Sequence, residues 1–554
     1  MASALEATTR RRPWRAAVTA MALGTVAAML AACAAVQTSA PPGDTAPSAD
    51  SYGSVADPAA VKNGGTLVVA LSAEPDQLDP TLSRSLYTRY VFQTMCQKLY
   101  DIDQTTKIVP QLATALPTIS PDGKTVTIPV REGVKFADGT PFNAAAVKTT
   151  FERNLTLKTS GRKSELGPIT GVTAPDDKTV VITLSAPFAP LTAALTDRAG
   201  MIMSPTALTA LGDNFGTAPV CVGPFKFAKR VAQNSIDVVR DPNYYDAANV
   251  HLDGISYRII TDGSIRAANL RSGDAQVADT LSTQDVPALR QVPDLSVLES
   301  NSLGYQGITF NVGNVAGIGK PTGKKGTPVA DDERVRQAFD MAVDREGLAR
   351  TVFGGLVSPA CSAISPDSEF SSEAAQACPK HDPAAAKALL QQAGVPVPYK
   401  LTFVVSNNPD TLRLAQALQA TVNEGGFDLT IQPVEYSALL DQQDRGDFQV
   451  LQLGWSGRID PDANLANFIG TGGGQNVAGF SDPAIDALLT AARTSTDKAE
   501  RVKIYGQVVA ASQKADPIVY LYRQRNLTGV TKKVAGVQVF ADGVIRLANA
   551  GYVK

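Results

Sequence analysis

The sequence predicts an α/β protein built from more than one lobe, and three observations carry that expectation. At 554 residues the chain is longer than one hydrophobic core usually supports. Segments that alternate like strands are followed by segments with helical spacing, most regularly from Asn408 to Leu453. The run Phe448-Gln-Val-Leu-Gln-Leu453 then delivers Gly454-Trp-Ser-Gly457 to a strand end, and ligands of α/β sheets sit in the loops beyond strand ends.

Composition narrows the function. Hydrophobic residues make up 44% and charged residues 19%, as in ordinary globular proteins, and a net charge of −2 supplies no basic surface for nucleic acid. Residues 1–32 read as a secretory signal: Arg10, Arg11, Arg12 and Arg15, an apolar stretch from Ala16 to Leu30, then small residues. Leu30-Ala-Ala-Cys33 looks like a lipobox, whose Cys33 becomes the lipid-modified first residue after cleavage. The Arg triplet raises twin-arginine export, but Pro13-Trp14 departs from that motif. Removing the signal takes away four Arg and Glu6, a net +3, so −2 becomes −5. From Cys33 to about Lys62 the Ala-, Pro- and Ser-rich chain reads as a disordered tether.

Export permits disulfides, and four cysteines remain after Cys33. Cys361 and Cys378 enclose a loop dense in Ser, Pro and Ala and are expected to bond, contributing about 3 kcal/mol through loop closure. Cys96 and Cys221 are left to each other.

Taken in order, Thr66–Leu71 reads as a buried strand, and Ser72-Ala-Glu-Pro-Asp-Gln77 as its loop, which makes Glu74 and Asp76 candidate ligand contacts or members of a solvated turn. Leu86 to Tyr100 has helical spacing. Lys124 to Val130 is a strand, Ala137-Asp-Gly-Thr-Pro141 a turn, and Asn143 caps a helix from Ala144 to Asn154. That block holds no reactive group and is architectural. Helices are expected after Asp332, after Asp344 and from Asn408, with strands at Leu429–Val434 and Phe448–Leu453, which argues for a mainly parallel sheet there.

Trp455 is the only Trp beyond the first thirty residues. Flanking Gly454 and Gly457 let the backbone approach a ligand closely, the indole offers a flat contact, and Ser456, Arg458 and Asp460 can orient what binds. A strand that ends in a buried Trp and a polar turn is the plain alternative.

The Gly454–Pro461 segment resembles the Gly-Trp-x-x-Asp-x-x-Asp-Pro stretch of bacterial extracytoplasmic solute-binding proteins of family 5, the peptide, opine and nickel binders of ABC importers. Three further blocks resemble the same family in the same order: Gly65–Pro80, Val130–Lys148 and Val335–Arg345. The resemblance implies a two-lobed periplasmic-binding-protein-like clamp with an additional small α/β domain inserted in lobe one. Lobe one would take 63–86, 198–302 and 523–554, the inserted domain 87–197, and lobe two 303–522. It also implies a monomeric receptor that captures a peptide-like or other small polar solute and hands it to membrane permease subunits, held by its lipid to the outer face of the cytoplasmic membrane, in the periplasm or cell-wall space. No cofactor, metal or catalytic residue is implied. Tyr305 and Gln306 fall where the chain crosses between lobes and are candidates to pair a ligand backbone.

The departures from the family bear on the ligand. Dipeptide-binding members carry an Asp after Gly-Trp-x to hold the peptide ammonium, where this chain has Arg458. They also carry an Arg shortly before the helix that starts here at Asn408, and this chain has Val405 or a neighbour. Arg458 would repel an ammonium and could fork onto a carboxylate, which favours an anionic ligand, unless it pairs with Asp460 or Asp462.

Enzyme classes are poorly supplied. Two His, His251 and His381, stand alone, and no Gly-x-Ser-x-Gly occurs. Ser160-Gly-Arg-Lys163 has Ser-x-x-Lys spacing without its Lys-Thr-Gly partner, so a polar loop is the better reading. A secreted surface lipoprotein acting as hydrolase, adhesin or chaperone remains the alternative function.

Overall fold

One strand, Ile518–Thr531, belongs to both halves of the molecule. In the computed structural model, which describes residues 51–554, its first part pairs with Tyr305–Phe310 and Val357–Pro359, and its second part with Leu295–Asn301 and Val277–Ala278. The change of partners falls between Gln524, opposite Val357, and Arg525, opposite Asn301. A continuous strand shared in this way keeps the two lobes in register while its middle can flex.

In lobe one, Thr66–Leu71 runs parallel to Gly254–Ile259 and to Val277–Ala278, and the hairpin Phe225–Val231 with Ser235–Arg240 extends the sheet to its edge. In lobe two, Tyr399–Ser406 lies parallel to Phe427–Val434 and Val450–Trp455, while Tyr305–Phe310 is antiparallel to Val450–Trp455 and to Ile518–Thr531. The sheet of lobe two is therefore mixed rather than mainly parallel. Tyr305–Phe310, which enters from lobe one rather than through a helical crossover, runs opposite to both of its neighbours.

Strand periodicity sorts the two faces of that sheet. Val519 and Leu521 join Ile308, Phe310 and Phe403 in one apolar cluster, and Ile518 and Tyr520 join Tyr305 and Trp455 in another. Helices cover both faces. Glu333–Ala342 and Arg345–Phe353 are capped by Asp332 and Asp344, as their sequences predict, and Pro409–Glu424 begins under an Asn408 side chain that accepts from the Asp410 amide.

The inserted segment forms a four-stranded antiparallel sheet from Thr118–Ile119, Thr125–Pro129, Thr179–Leu184 and Ile169–Asp176, covered by helix Ala144–Thr156. Its turn residue Gly139 has φ +83°, and Asn143 accepts from the Ala146 amide. Val147 and Phe151 are fully buried in an apolar cluster that also contains Leu67, Val69 and Ile255 of lobe one, so the insertion shares its host's core. Cys96 bonds Cys221 and Cys361 bonds Cys378, as expected.

The signal segment and Cys33 lie outside the described residues. The last part of the expected tether is docked: Ser51 bridges Glu299, and Val61–Lys62 pairs with Gly551–Val553. Burial of Ala56 and Val61 supplies a reason for that order. Among the described residues no helix is long and apolar enough to cross a membrane.

Candidate functional site

The site grows from the strand Val450–Trp455. Its register against Tyr305–Phe310 puts Tyr305 opposite Trp455 and Gln306 opposite Gly454. A Cβ at Gly454 would lie 2.3 Å from the Gln306 amide, so glycine here is what lets that side chain lie across the strand. Gln306 Oε1 accepts from Gln452 Nε2 at 2.9 Å, and its Nε2 donates to Gln524 Oε1 at 3.1 Å. A row of three side-chain amides thus runs over three neighbouring strands. Beyond Trp455 the chain turns at Gly457, φ +81°, where a Cβ would meet the Leu303 backbone at 2.3 Å.

These residues open on a cavity of about 210 Å³ between the lobes. Lobe one contributes Ser72, Thr280, Ser282 and Leu527, and lobe two contributes Trp455, Ser456, Tyr436 and the amide row. Trp455 is packed along one edge: its Nε1 donates to Asn464 Oδ1 at 2.8 Å, Phe468 stands edge-on at 5.0 Å, and the residue is 8% exposed. The indole still forms part of the cavity wall.

Four charged residues line the cavity, and their environments differ. Arg266 is held by the carbonyls of Ile260, Thr261, Asp279 and Thr280. Arg525 bonds Glu299 and Asn301. Arg413 pairs with Asp410 in the first turns of Pro409–Glu424; both side chains are about one-third exposed, and Arg413 Nε is buried without a hydrogen-bond partner. Asp410 Oδ1 also accepts from Ser282 Oγ of lobe one at 2.9 Å, and Asn408 Nδ2 donates across the seam to the Thr261 carbonyl.

A second compartment of about 70 Å³ adjoins the first, and Trp455, Ser456, Gly454, Leu453, Tyr436 and Leu86 line both. Tyr305 and Phe468 complete its aromatic walls. Arg84 in its lining donates to both oxygens of Asp444 at 2.6 Å.

The structure brings Trp455, Ser456, Gln306 and Tyr305 to these compartments and directs the predicted charges elsewhere. Glu74 accepts from Arg230 Nε at 2.9 Å and from the Gln233 amide at 3.0 Å. Asp76 accepts from the Arg84 amide and from Thr88 Oγ1. Asp460 caps helix Pro461–Ile469 and takes two bonds from Arg501 Nη2 at 2.8 Å, while Asp462 pairs with Arg493. Gly457 acts through its backbone turn.

Arg458 lies outside the walls of both compartments. Its guanidinium pairs with Asp197 at the end of the inserted domain, donates to the Gly457 carbonyl at 2.7 Å, and lies over the Trp455 ring. Its partner is thus neither of the two nearby Asp residues that the sequence offers. Burial and the neighbouring Arg89 push the Arg458 pKa down to about 9 against the pull of Asp197. Asp197 is buried, but Arg458 and Arg89 outweigh that and hold it well below the usual carboxylate range. Arg89 also donates to Ser456 Oγ at 3.1 Å, so the Trp455 turn is tied to lobe one at two points.

Sequence reasoning missed Arg413, Asp410, Ser282, Tyr436, Gln443 and Gln475. A signal for the first two existed: the helix start at Asn408 was legible, and its first turns carry an Asp and an Arg three residues apart.

Comparison with known proteins follows the same line. The sequence profile of "Bacterial extracellular solute-binding proteins, family 5 Middle" matches residues 107–476. The glutathione-binding protein GsiB of Pectobacterium atrosepticum is 29% identical over 495 residues, covering 87% of this chain and 93% of the relative. The solved structure of the binding protein AgaA from A. tumefacien R10 with agropinic acid superposes with a TM-score of 0.79 at 30% identity, covering 88% of this chain and 99% of that one. The oligopeptide-binding protein AppA of Bacillus subtilis, solved with a nonapeptide, shares the fold at a TM-score of 0.80 and 21% identity, over 89% of this chain and 100% of its own. With a cavity at the seam of two lobes and these matches, the chain belongs to the bacterial extracellular solute-binding proteins of family 5 and is a substrate-binding receptor of an ABC importer.

Proposed function

We propose that the receptor captures a small, carboxylated, peptide-like solute, with Arg413 taking the carboxylate and Trp455 the body of the ligand. The observation that carries this reading is Arg413 itself. It lines the cavity, is one-third exposed, keeps an unpartnered Nε, and stands in the first turns of a sixteen-residue helix, where the backbone also favours an anion. Arg266 and Arg525 line the same wall, each beside its own carboxylate, Asp279 and Glu299. The ligands named for the two relatives, glutathione and agropinic acid, are a peptide and an acid. The anionic preference read from Arg458 in the sequence is thus supported through a different arginine.

The seam bonds of Asp410 to Ser282 and Asn408 to Thr261 form only when the lobes meet, so a ligand that neutralises Arg413 and touches both lobes favours the closed state. Micromolar affinity, about −8 kcal/mol, is within reach of one aromatic wall and a few charge-assisted hydrogen bonds. The receptor works as a lipid-anchored monomer through Cys33 and turns nothing over.

A thermal-shift screen of glutathione, short peptides and opine acids beside their amidated counterparts tests the reading. Carboxylated members should raise the melting temperature and amidated ones should not. Stabilisation by neutral sugars or metal complexes alone would discard it.

A further inference from the structure

We infer that the ligand reaches past Trp455 into the smaller compartment, and that this compartment selects an uncharged side group carrying both a hydrogen-bond donor and an acceptor, a carboxamide being the smallest. The inference rests on the ligand class proposed above and narrows it.

Two buried amides carry the argument. Gln443, 2% exposed on helix Tyr436–Arg445, and Gln475, 8% exposed in the loop after Pro461–Ile469, both line the compartment. Gln443 Oε1 and Gln475 Nε2 are each buried without a hydrogen-bond partner. One presents an acceptor and the other a donor. Buried polar groups are rarely left in this state, because neither atom recovers the hydrogen bond it gave up to water. Both residues line one compartment of about 70 Å³ that is walled by Tyr305, Tyr436, Trp455 and Phe468 and shares lining residues with the main cavity.

The same surroundings disfavour the alternatives. The charged side chain of the lining, Arg84, donates to both oxygens of Asp444 and is spoken for, so a carboxylate or ammonium entering between the rings would be desolvated without a free counter-charge. A purely apolar group would fill the space but leave both glutamines unpaired, and sites built to hydrogen-bond a group reject the analogue that lacks it. A carboxamide donates to Gln443 Oε1 and accepts from Gln475 Nε2, and its flanking methylenes meet the aromatic walls.

The test uses the intact protein and matched tripeptides, Gly-Gln-Gly, Gly-Glu-Gly and Gly-Leu-Gly with their positional isomers, measured by calorimetry. In the best-bound register the Gln peptide should exceed both others at least tenfold. Gln443→Leu and Gln475→Leu should each narrow that ratio below threefold while binding the Leu peptide more tightly than wild type. Equal binding of the three by wild type, or an unchanged ratio in both variants, overturns the inference and leaves the ligand class standing. Failure of every tripeptide to bind overturns the inference, and the ligand class then stands or falls with the thermal-shift screen. Should a variant not fold, a crystal structure of wild type with the Gln peptide decides: the carboxamide between Gln443 and Gln475 supports the inference, and water alone there overturns it.

Discussion

The guanidinium of Arg458 lies 4.2 Å from the centroid of the Trp455 ring while pairing with Asp197 of the inserted domain. Trp455 lines the cavity at the seam, so the residue proposed above to take the body of the ligand is in contact with the residue that ties lobe two to lobe one. Removing Arg458 would leave Asp197 with Arg89 and Arg198 as charge partners while taking away the contact that joins it to the Trp455 turn.

Arg458→Ala should therefore weaken all ligands alike, by about 1.5–3 kcal/mol or roughly 10- to 100-fold, because it acts on closure. Calorimetry with a carboxylated ligand and its amide checks this. A loss confined to the carboxylated partner would place Arg458 on the ligand instead.

Arg413→Gln should act selectively. Losing a charge-assisted hydrogen bond costs about 1.5–3 kcal/mol, so carboxylated ligands should weaken about 10- to 100-fold and amidated ones little. Arg413→Lys should retain part of the affinity, since a point charge replaces the planar fork. Equal losses for both ligand types in the Gln variant would remove Arg413 from carboxylate recognition.

Trp455 is the only Trp among the described residues, and its indole is bonded to Asn464 on one edge and forms cavity wall elsewhere. Binding should shift or quench its emission, and Trp455→Phe should abolish that signal while ligand still raises the melting temperature. Emission from Trp455 that is unchanged at saturating ligand would place the ligand elsewhere.

Acid should loosen the lobe-one end of the same network. Asp542 is buried, but Arg546 and Arg89 outweigh burial and hold its pKa at about 2, against an ordinary value of 3.8. The folded state thus binds fewer protons than the unfolded chain. Its contribution, on the order of 2 kcal/mol, is complete above pH of about 4 and disappears as pH falls through about 2. Asp542→Asn should be less stable than wild type at pH 6 in urea melts, and the two should converge near pH 2.

The disulfides should differ in weight. Cys96 and Cys221 are 125 residues apart and Cys361 and Cys378 are 17 apart. Loop-closure entropy then assigns about 5 kcal/mol to the first and about 3 to the second. Paired Cys→Ala variants compared by denaturant midpoint should keep that order. The reverse order would mean that native-state packing, rather than loop length, sets their value.

Local patterns made much of this legible. The capped helix after Asn143 follows from an Asn, a glycine turn and two apolar residues one helical turn apart, all within reach of one another along the chain. Trp455 stands out by rarity and by the glycines around it. Arg413 was hidden by the expectation of an arginine before its helix, when the first turns inside the helix face the cavity equally well. Gln443 and Gln475 gave no signal, because an unpaired amide is recognisable only when its surroundings are known.

The order of strands and helices, their caps, the Cys361–Cys378 bond and the family were determined by the sequence, since each depends on residues near one another in the chain or on motifs of fixed spacing. Which charges face the ligand was decided by the tertiary structure alone. Glu74, Asp460 and Arg458 all sit in loops just beyond strand ends, yet Arg230, Arg501 and Asp197 reach each of them from distant segments. A buried ion takes the nearest counter-charge that folding brings to it, and proximity in space between remote segments is not written in either one.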